Sequence, residues 1–296
     1  MTAPDTFAEG EARIVDRGYR PYDGPRRGVR GAMAAVVTHS LQRALGLRRT
    51  IWAKVLPIVV IAMAYVPAIV FVGAVALLPD NDAADLVLPS YGDYYGFVIS
   101  ALMVFVGLVA PEVLCTDRRT GMLGVYLAAP LDRDTYLLAK AGAIAAALSL
   151  VCLGPPLLML VANLLQSQGP EGIGDIADTT LRVLLCGIVL TAMFTGLTMG
   201  ITSLTDRKAV AAAAIILLFL VSLSVATTVD TAGGPEGIYA WSPTSLSLEL
   251  AQRVHGEYSP IMSGVPGITV WGAWAAWTFG GFALARWRLH VLPVTR

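Results

Sequence analysis

Glu112, which follows Pro111, is the one acid set inside an apolar run of this 296-residue chain. An acid at membrane depth is expensive to keep, so it points to function by default, here to a role in coupling. Its place near the end of that run also fits a structural role, paired with Arg118 or Arg119. Both readings stay open. Other chemistries lack their residues. No H-E-x-x-H or G-x-S-x-G motif occurs. Cys152 and Cys186 sit inside apolar runs and Cys115 follows one, while His39, His255 and His290 are scattered. Nothing in that spacing suggests a metal site or a disulfide framework, so no metal is expected. Twenty-one basic residues balance 21 acidic ones, which leaves no excess positive charge for nucleic acid.

The elements that position Glu112 follow from composition. The chain is 56% hydrophobic and 14% charged, against about 25% charged in a soluble domain, so a bilayer is its main solvent. A hydrocarbon core of about 30 Å needs about 20 apolar residues to cross it as a helix. Six stretches meet that length: 51–78, 94–114, 137–165, 181–204, 209–229 and 266–287. The expected class is an all-α polytopic membrane protein. Residues 1–50 form a cytoplasmic leader with an amphipathic interfacial helix, and 51–290 form the six-helix transmembrane domain. In the helix, Val36, Val37, Leu41, Leu45 and Leu47 recur near helical spacing between basic residues. The start of the chain has no apolar stretch after a basic segment, so it is not read as a cleavable signal peptide.

Lys and Arg set the orientation. With the N-terminus inside, nineteen of the 21 fall on the cytoplasmic side and only Arg182 and Arg253 fall outside. Both termini are therefore expected in the cytoplasm. Thr205, Asp206, Arg207 and Lys208 alone separate spans four and five, which makes these an antiparallel hairpin with a charged turn. Between spans five and six lies an outer loop of 36 residues, 230–265. Within it, Ser242 and Pro243 read as a helix cap and first turn. The following run to Gln252 reads as a short helix dipping into the outer leaflet.

Span interiors are nearly free of ionisable groups. Lys140, Arg182 and Arg286 lie near span ends, where long side chains snorkel to the headgroups. This weakens both an intramembrane enzyme and an ion-coupled carrier. Pro155 and Pro156 interrupt span three and predict a kink. Gly196 and Gly200 are spaced for close helix contact. Trp271, Trp274 and Trp277 form a stripe down span six, read either as an aromatic belt or as the lining of a lipophilic path. Pro155, Pro156 and Trp274 are the candidates for a substrate path.

The loop from Glu112 to Lys140 carries the most specific pattern. It resembles the second cytoplasmic loop of the type-two ATP-binding cassette (ABC) export permeases, which have the type V transmembrane fold. Arg118, Arg119, Gly121, Leu123, Pro130, Arg133 and Lys140 match that pattern. The leader run from Gly18 to Gly28 is similar to that of actinobacterial permeases of this type. The six-span order, the tight hairpin and the long outer loop fit as well.

The resemblance implies a non-catalytic permease subunit of an ATP-driven exporter in the bacterial cytoplasmic (inner) membrane. In that family the helix after span two docks in a groove of the ATPase. Residues 117–130 have a charged start, an apolar centre and a proline stop, with Gly121 and Gly124 permitting close approach. The carried-over coupling residues are Glu112, Arg118, Arg119, Gly121, Leu123 and Pro130. The chain contains no G-x-x-x-x-G-K-[ST] phosphate loop, so no cofactor is expected in it. ATP and magnesium belong to a separate ABC ATPase subunit, present in two copies. A second permease subunit, identical or related, completes the transport path within the lipid bilayer. The alternative is a non-transporting membrane anchor or assembly protein. The resemblance names no substrate.

Overall fold

A computed structural model describes residues 24, 27–47, 50–77, 88–128, 130–167, 169–170 and 172–292. Most of the leader run from Gly18 to Gly28 lies outside these residues, as do Leu78 and Ala129. All regular structure among the described residues is helical. The elements are α1 (Gly28–Ala44), α2 (Ile51–Leu77), α3 (Tyr91–Leu108), α4 (Pro111–Arg119), α5 (Met122–Ala128) and α6 (Arg133–Cys152). They continue with α7 (Gly154–Leu165), α8 (Ile173–Ser203), α9 (Lys208–Thr231), a 3-10 turn (Glu236–Trp241), α10 (Pro243–His255) and α11 (Gly267–Val291). Among the described residues, six helical stretches are long and apolar enough to cross a membrane, with α3–α4 and α6–α7 each counting as one. The chain is thus an all-α protein of the multi-pass membrane type.

Several boundaries move outward from the apolar runs. Span four begins at Ile173 rather than 181, because a helix can continue into water with Asp175 and Asp178 on its first turns. Span two begins at Tyr91, where the Ser90 hydroxyl accepts from the Asp93 N–H at 3.1 Å. It bends at Val109–Ala110 and runs on to Arg119. In span three the helix breaks at Leu153, so Pro155 and Pro156 occupy the first turn of α7, where a missing N–H costs nothing.

Span four is the centre of the bundle. Burial covers 72% of its most apolar stretch, against 22% for spans one, five and six. Gly196 and Gly200 face α11, where a Cβ on Gly196 would overlap the Thr278 backbone and one on Gly281 would overlap Gly196. The two helices touch backbone to backbone. Gly187 instead receives the side chain of Leu153, from a face about 180° around the helix from Gly196 at roughly 100° per residue. Phenol and indole heads add directional ties between spans. Tyr94 donates to the Ala64 carbonyl at 2.8 Å, Tyr95 to Val183 at 3.2 Å and Trp274 to Val189 at 3.0 Å.

The helix expected in the leader is present as α1, but its amphipathic, interfacial character is not established. Arg30 shares a face with Met33 and Val37, which interrupts the apolar side. Val36, Ser40 and Ala44 are buried, and Val36 packs with Ala139 of α6 and Leu131. Leu45 and Leu47 lie in the turn after the helix.

Candidate functional site

The bend before Pro111 determines what α4 can reach. The Ala110 N–H pairs with Phe105 rather than with Val106, which lets the chain tilt before Pro111 restarts it. The new helix places Val113 and Asp117 on its inward face, one turn apart. Asp117 is 1% exposed, and a carboxylate so buried must be paired.

Two other elements, α6 and α1, supply its partners. Lys140 of α6 forms an ion pair with Asp117 Oδ2, and Tyr136 donates to the same oxygen at 3.2 Å. Arg43 of α1 lies 3.2 Å from Oδ1. Lys140 also donates to the Ser40 hydroxyl at 2.7 Å and to the Val113 carbonyl at 3.4 Å. All three ammonium donors are therefore used. The Tyr126 and Tyr136 rings lie 5.5 and 5.6 Å from the Lys140 nitrogen, within cation–π range. Burial first, then the charge of Asp117, raises the Tyr126 phenol above its usual range.

The expected snorkelling of Lys140 is therefore corrected: its side chain is 2% exposed and points into the protein. Asp117 explains this, because a lysine follows its counter-ion when that counter-ion is buried nearby. Arg286 does lie exposed, but it forms two 2.9 Å bonds to Asp134 instead of reaching freely for headgroups. Arg182 is held 2.6 Å from Asp178.

Each residue carried over to the coupling role has a defined place. Glu112 pairs with Lys208 of α9 at 3.2 Å and lies 4.0 Å from Arg43, so its ion pairs reach other elements rather than Arg118 and Arg119 of its own helix. Arg118 points inward and donates to the carbonyls of Thr202, Ser203 and Thr205, at 3.4, 2.5 and 3.1 Å. Thr202 and Ser203 are the last residues of span four and Thr205 lies in the turn beyond, so no further helical turn satisfies their carbonyls. Arg119 is exposed. Gly121 has a φ of 71°, the left-handed turn that separates α4 from α5. Leu123 is buried against Tyr136 and Leu289, and Pro130 is exposed. The stretch expected as one helix over 117–130 thus divides into the last turn of α4 and the helix α5.

On the outer side of α5, Met122 and Val125 are 37% and 62% exposed. They stand one turn apart on α5 and form a short apolar ridge, and exposed Arg119 precedes the Gly121 turn that leads into it. The start of α6 is fastened beside it. Asp132 caps the helix and accepts from the Thr135 N–H at 2.7 Å, and these Thr135 bonds lower its carboxyl below the usual range. Arg133 donates to the Leu289 and His290 carbonyls at the end of α11.

The path candidates are not brought together. Pro155 and Pro156 are buried at the start of α7, on the Leu153 side of span four. Trp274 bonds span four from α11 and stacks edge-on with Trp271 and Phe279, with ring centres 5.9 Å apart in each case. The span-four helix stands between the two groups.

The opposite end of the bundle holds a second buried ion pair. The short helix expected after Ser242 is α10, extending to His255, though the Ser242 side chain makes no cap bond. It is packed into the bundle against α3, α8 and α11. Its Glu249 and Arg253 pair one turn apart, with side chains 0% and 9% exposed. Arg253 donates to the Met262 and Val265 carbonyls at 3.2 and 2.7 Å, and the Ser259 N–H donates to Glu249 at 3.1 Å.

Sequence reasoning missed Asp117, Arg43, Ser40, Tyr126 and Tyr136 as a unit. The available signal was helical phase: Asp117 continues the buried face of Val106, Ala110 and Val113. Among the described residues, no group of three or more His, Cys, Asp or Glu is placed to hold a metal ion. No known family model matches the chain, and no curated protein matches it either.

Proposed function

We propose that this chain is the permease subunit of an ATP-driven ABC exporter, oriented with both termini in the cytoplasm of a bacterial cell. The observation that carries the reading is the exposed apolar ridge of Met122 and Val125 on α5, with exposed Arg119 just before the turn that leads into it. It presents apolar side chains outward from a short helix, at the end of the bundle that the proposed orientation puts in the cytoplasm. An exposed apolar ridge fits a groove of another protein better than it fits water. The resemblance of the surrounding loop to ABC export permeases supplies the kind of partner, a separate ATPase in two copies that binds ATP and magnesium. A second permease subunit would supply the other half of the path, because spans one, five and six leave most of their surface uncovered within one chain.

In this reading, closure of the ATPases pushes α5, and the push rocks the spans against the partner bundle. The residues of this chain transmit force and do no covalent chemistry. The test is purification of the chain from its native membrane. An accompanying nucleotide-hydrolysing subunit is expected, and its loss on Val125→Glu or Arg119→Glu would assign the contact to the ridge. A chain that purifies with no ATPase would overturn the reading and favour an anchor or assembly protein. Arg118 is unsuited to this test, because its reversal would strip the end of span four of its donor.

A further inference from the structure

We infer that the Asp117–Lys140 pair is the joint of a linkage that makes α1, α5 and the third span move as one block. The inference rests on the permease reading, since it assigns what happens to a push on α5. The pair is where side chains of four elements meet: Ser40 and Arg43 from α1, Asp117 from α4, Tyr126 from α5, and Tyr136 with Lys140 from α6. No stability argument requires charge there. A buried ion pair replaced by apolar residues of similar volume is often neutral or stabilising.

Charge supplies register instead. With its donors shared among Asp117, Ser40 and the Val113 carbonyl, Lys140 cannot slide by a helical turn without stranding an ammonium in an apolar surrounding. Sideways slip between α4 and α6 is therefore blocked, whereas an apolar contact would permit it.

The route from the docking ridge is short. Met122 and Val125 face outward on α5, while Tyr126 of the same helix lies over the Lys140 nitrogen and 5.6 Å from the Tyr136 ring. A displacement of α5 thus reaches the ion pair through one aromatic ring. From there Arg43 carries it into α1. Arg43 also lies beside Glu112, which pairs with Lys208 at the start of span five.

The test compares full-length protein in nanodiscs with and without the charges. Spin labels go on Thr38→Cys of α1 and Val161→Cys at the far end of span three, with the three native cysteines replaced by alanine. One variant pairs Asp117→Leu with Lys140→Met. A second pairs Asp117→Asn with Lys140→Gln, which keeps size and polarity and removes only charge. A narrow distance distribution is expected with the native pair, and a broadened one in both double variants. In the complex purified with its ATPase, both variants should still assemble but lose the permease-dependent part of ATP hydrolysis. Unchanged distance widths, or unchanged hydrolysis, would overturn the inference. Failure of both variants to fold would make the network a folding element and overturn it too. If no ATPase accompanies even the native chain, the permease reading falls, and the distance widths alone decide whether the block exists.

Discussion

The two ends of the bundle each bury an ion pair, yet they are wired differently. At the end that is outer in the proposed orientation, Glu249 and Arg253 belong to one helix, and their remaining bonds go to residues 259, 262 and 265 of the adjoining loop. At the inner end Asp117 joins residues 74 positions upstream and 19 and 23 positions downstream. The outer network closes a local plug, whereas the inner one crosses the fold. The lesson is that equal burial does not mean equal duty. A local pair secures the shape of one segment, and a long-range pair fixes segments relative to each other.

Breaking the outer pair should have the largest effect on stability. Arg253→Met leaves Glu249 buried without its counter-charge and is expected to cost about 3–5 kcal/mol, read by denaturant unfolding in detergent. Hydrogen exchange should rise first in residues 256–266, and a rise that begins instead in α4 would erase the contrast between the ends. Arg118→Leu comes next. It removes a charged donor from three end carbonyls and should cost about 1–3 kcal/mol, with exchange rising at Thr202–Lys208 while α10 stays protected.

A pH dependence should belong to the outer end. His255 donates from Nδ1 to the Ala251 carbonyl at 2.8 Å, and its buried Nε2 has no partner among the described residues. Burial lowers its pKa below 6.5, Arg182 adds to that, and the Ala251 bond and Glu257 partly offset it. The unfolded chain therefore binds the proton more readily than the folded one, so stability rises with pH across that window. His255 favours the fold fully above about 6.5 and loses that advantage as pH falls toward its lowered value. Unfolding midpoints from pH 7.5 to 5 should show the loss, His255→Phe should remove it, and an unchanged slope in that variant would reassign it. The smallest stability effect is expected for Val125→Glu, within about 0.5 kcal/mol, although the same change should abolish association with the ATPase.

The spans were legible because a bilayer demands long apolar runs and little else produces them. Their true lengths were less so. Gly172 and the first turns of α8 are polar, and only hydrogen bonding, which hydropathy does not register, extends that helix outward. Ser242–Pro243 announced α10, but its burial was hidden because Glu249 and Gln252 read as surface residues until their partners are placed. The inner site was half legible. Lys140 and Glu112 stood out by type and position, while Asp117 passed as one more charge in a basic loop. Arg118 shows the limit most clearly, since a loop arginine that faces a partner and one that caps a neighbouring helix are identical in sequence.

The glycine contact between spans four and six has a mechanical corollary. Where side chains separate two helices, changes of rotamer let them shift by fractions of an ångström. Gly196 and Gly281 leave no such cushion. Any relative motion of these helices must then be rotation about that crossing, which makes it a fulcrum, and the tilt of span six at one end fixes its swing at the other.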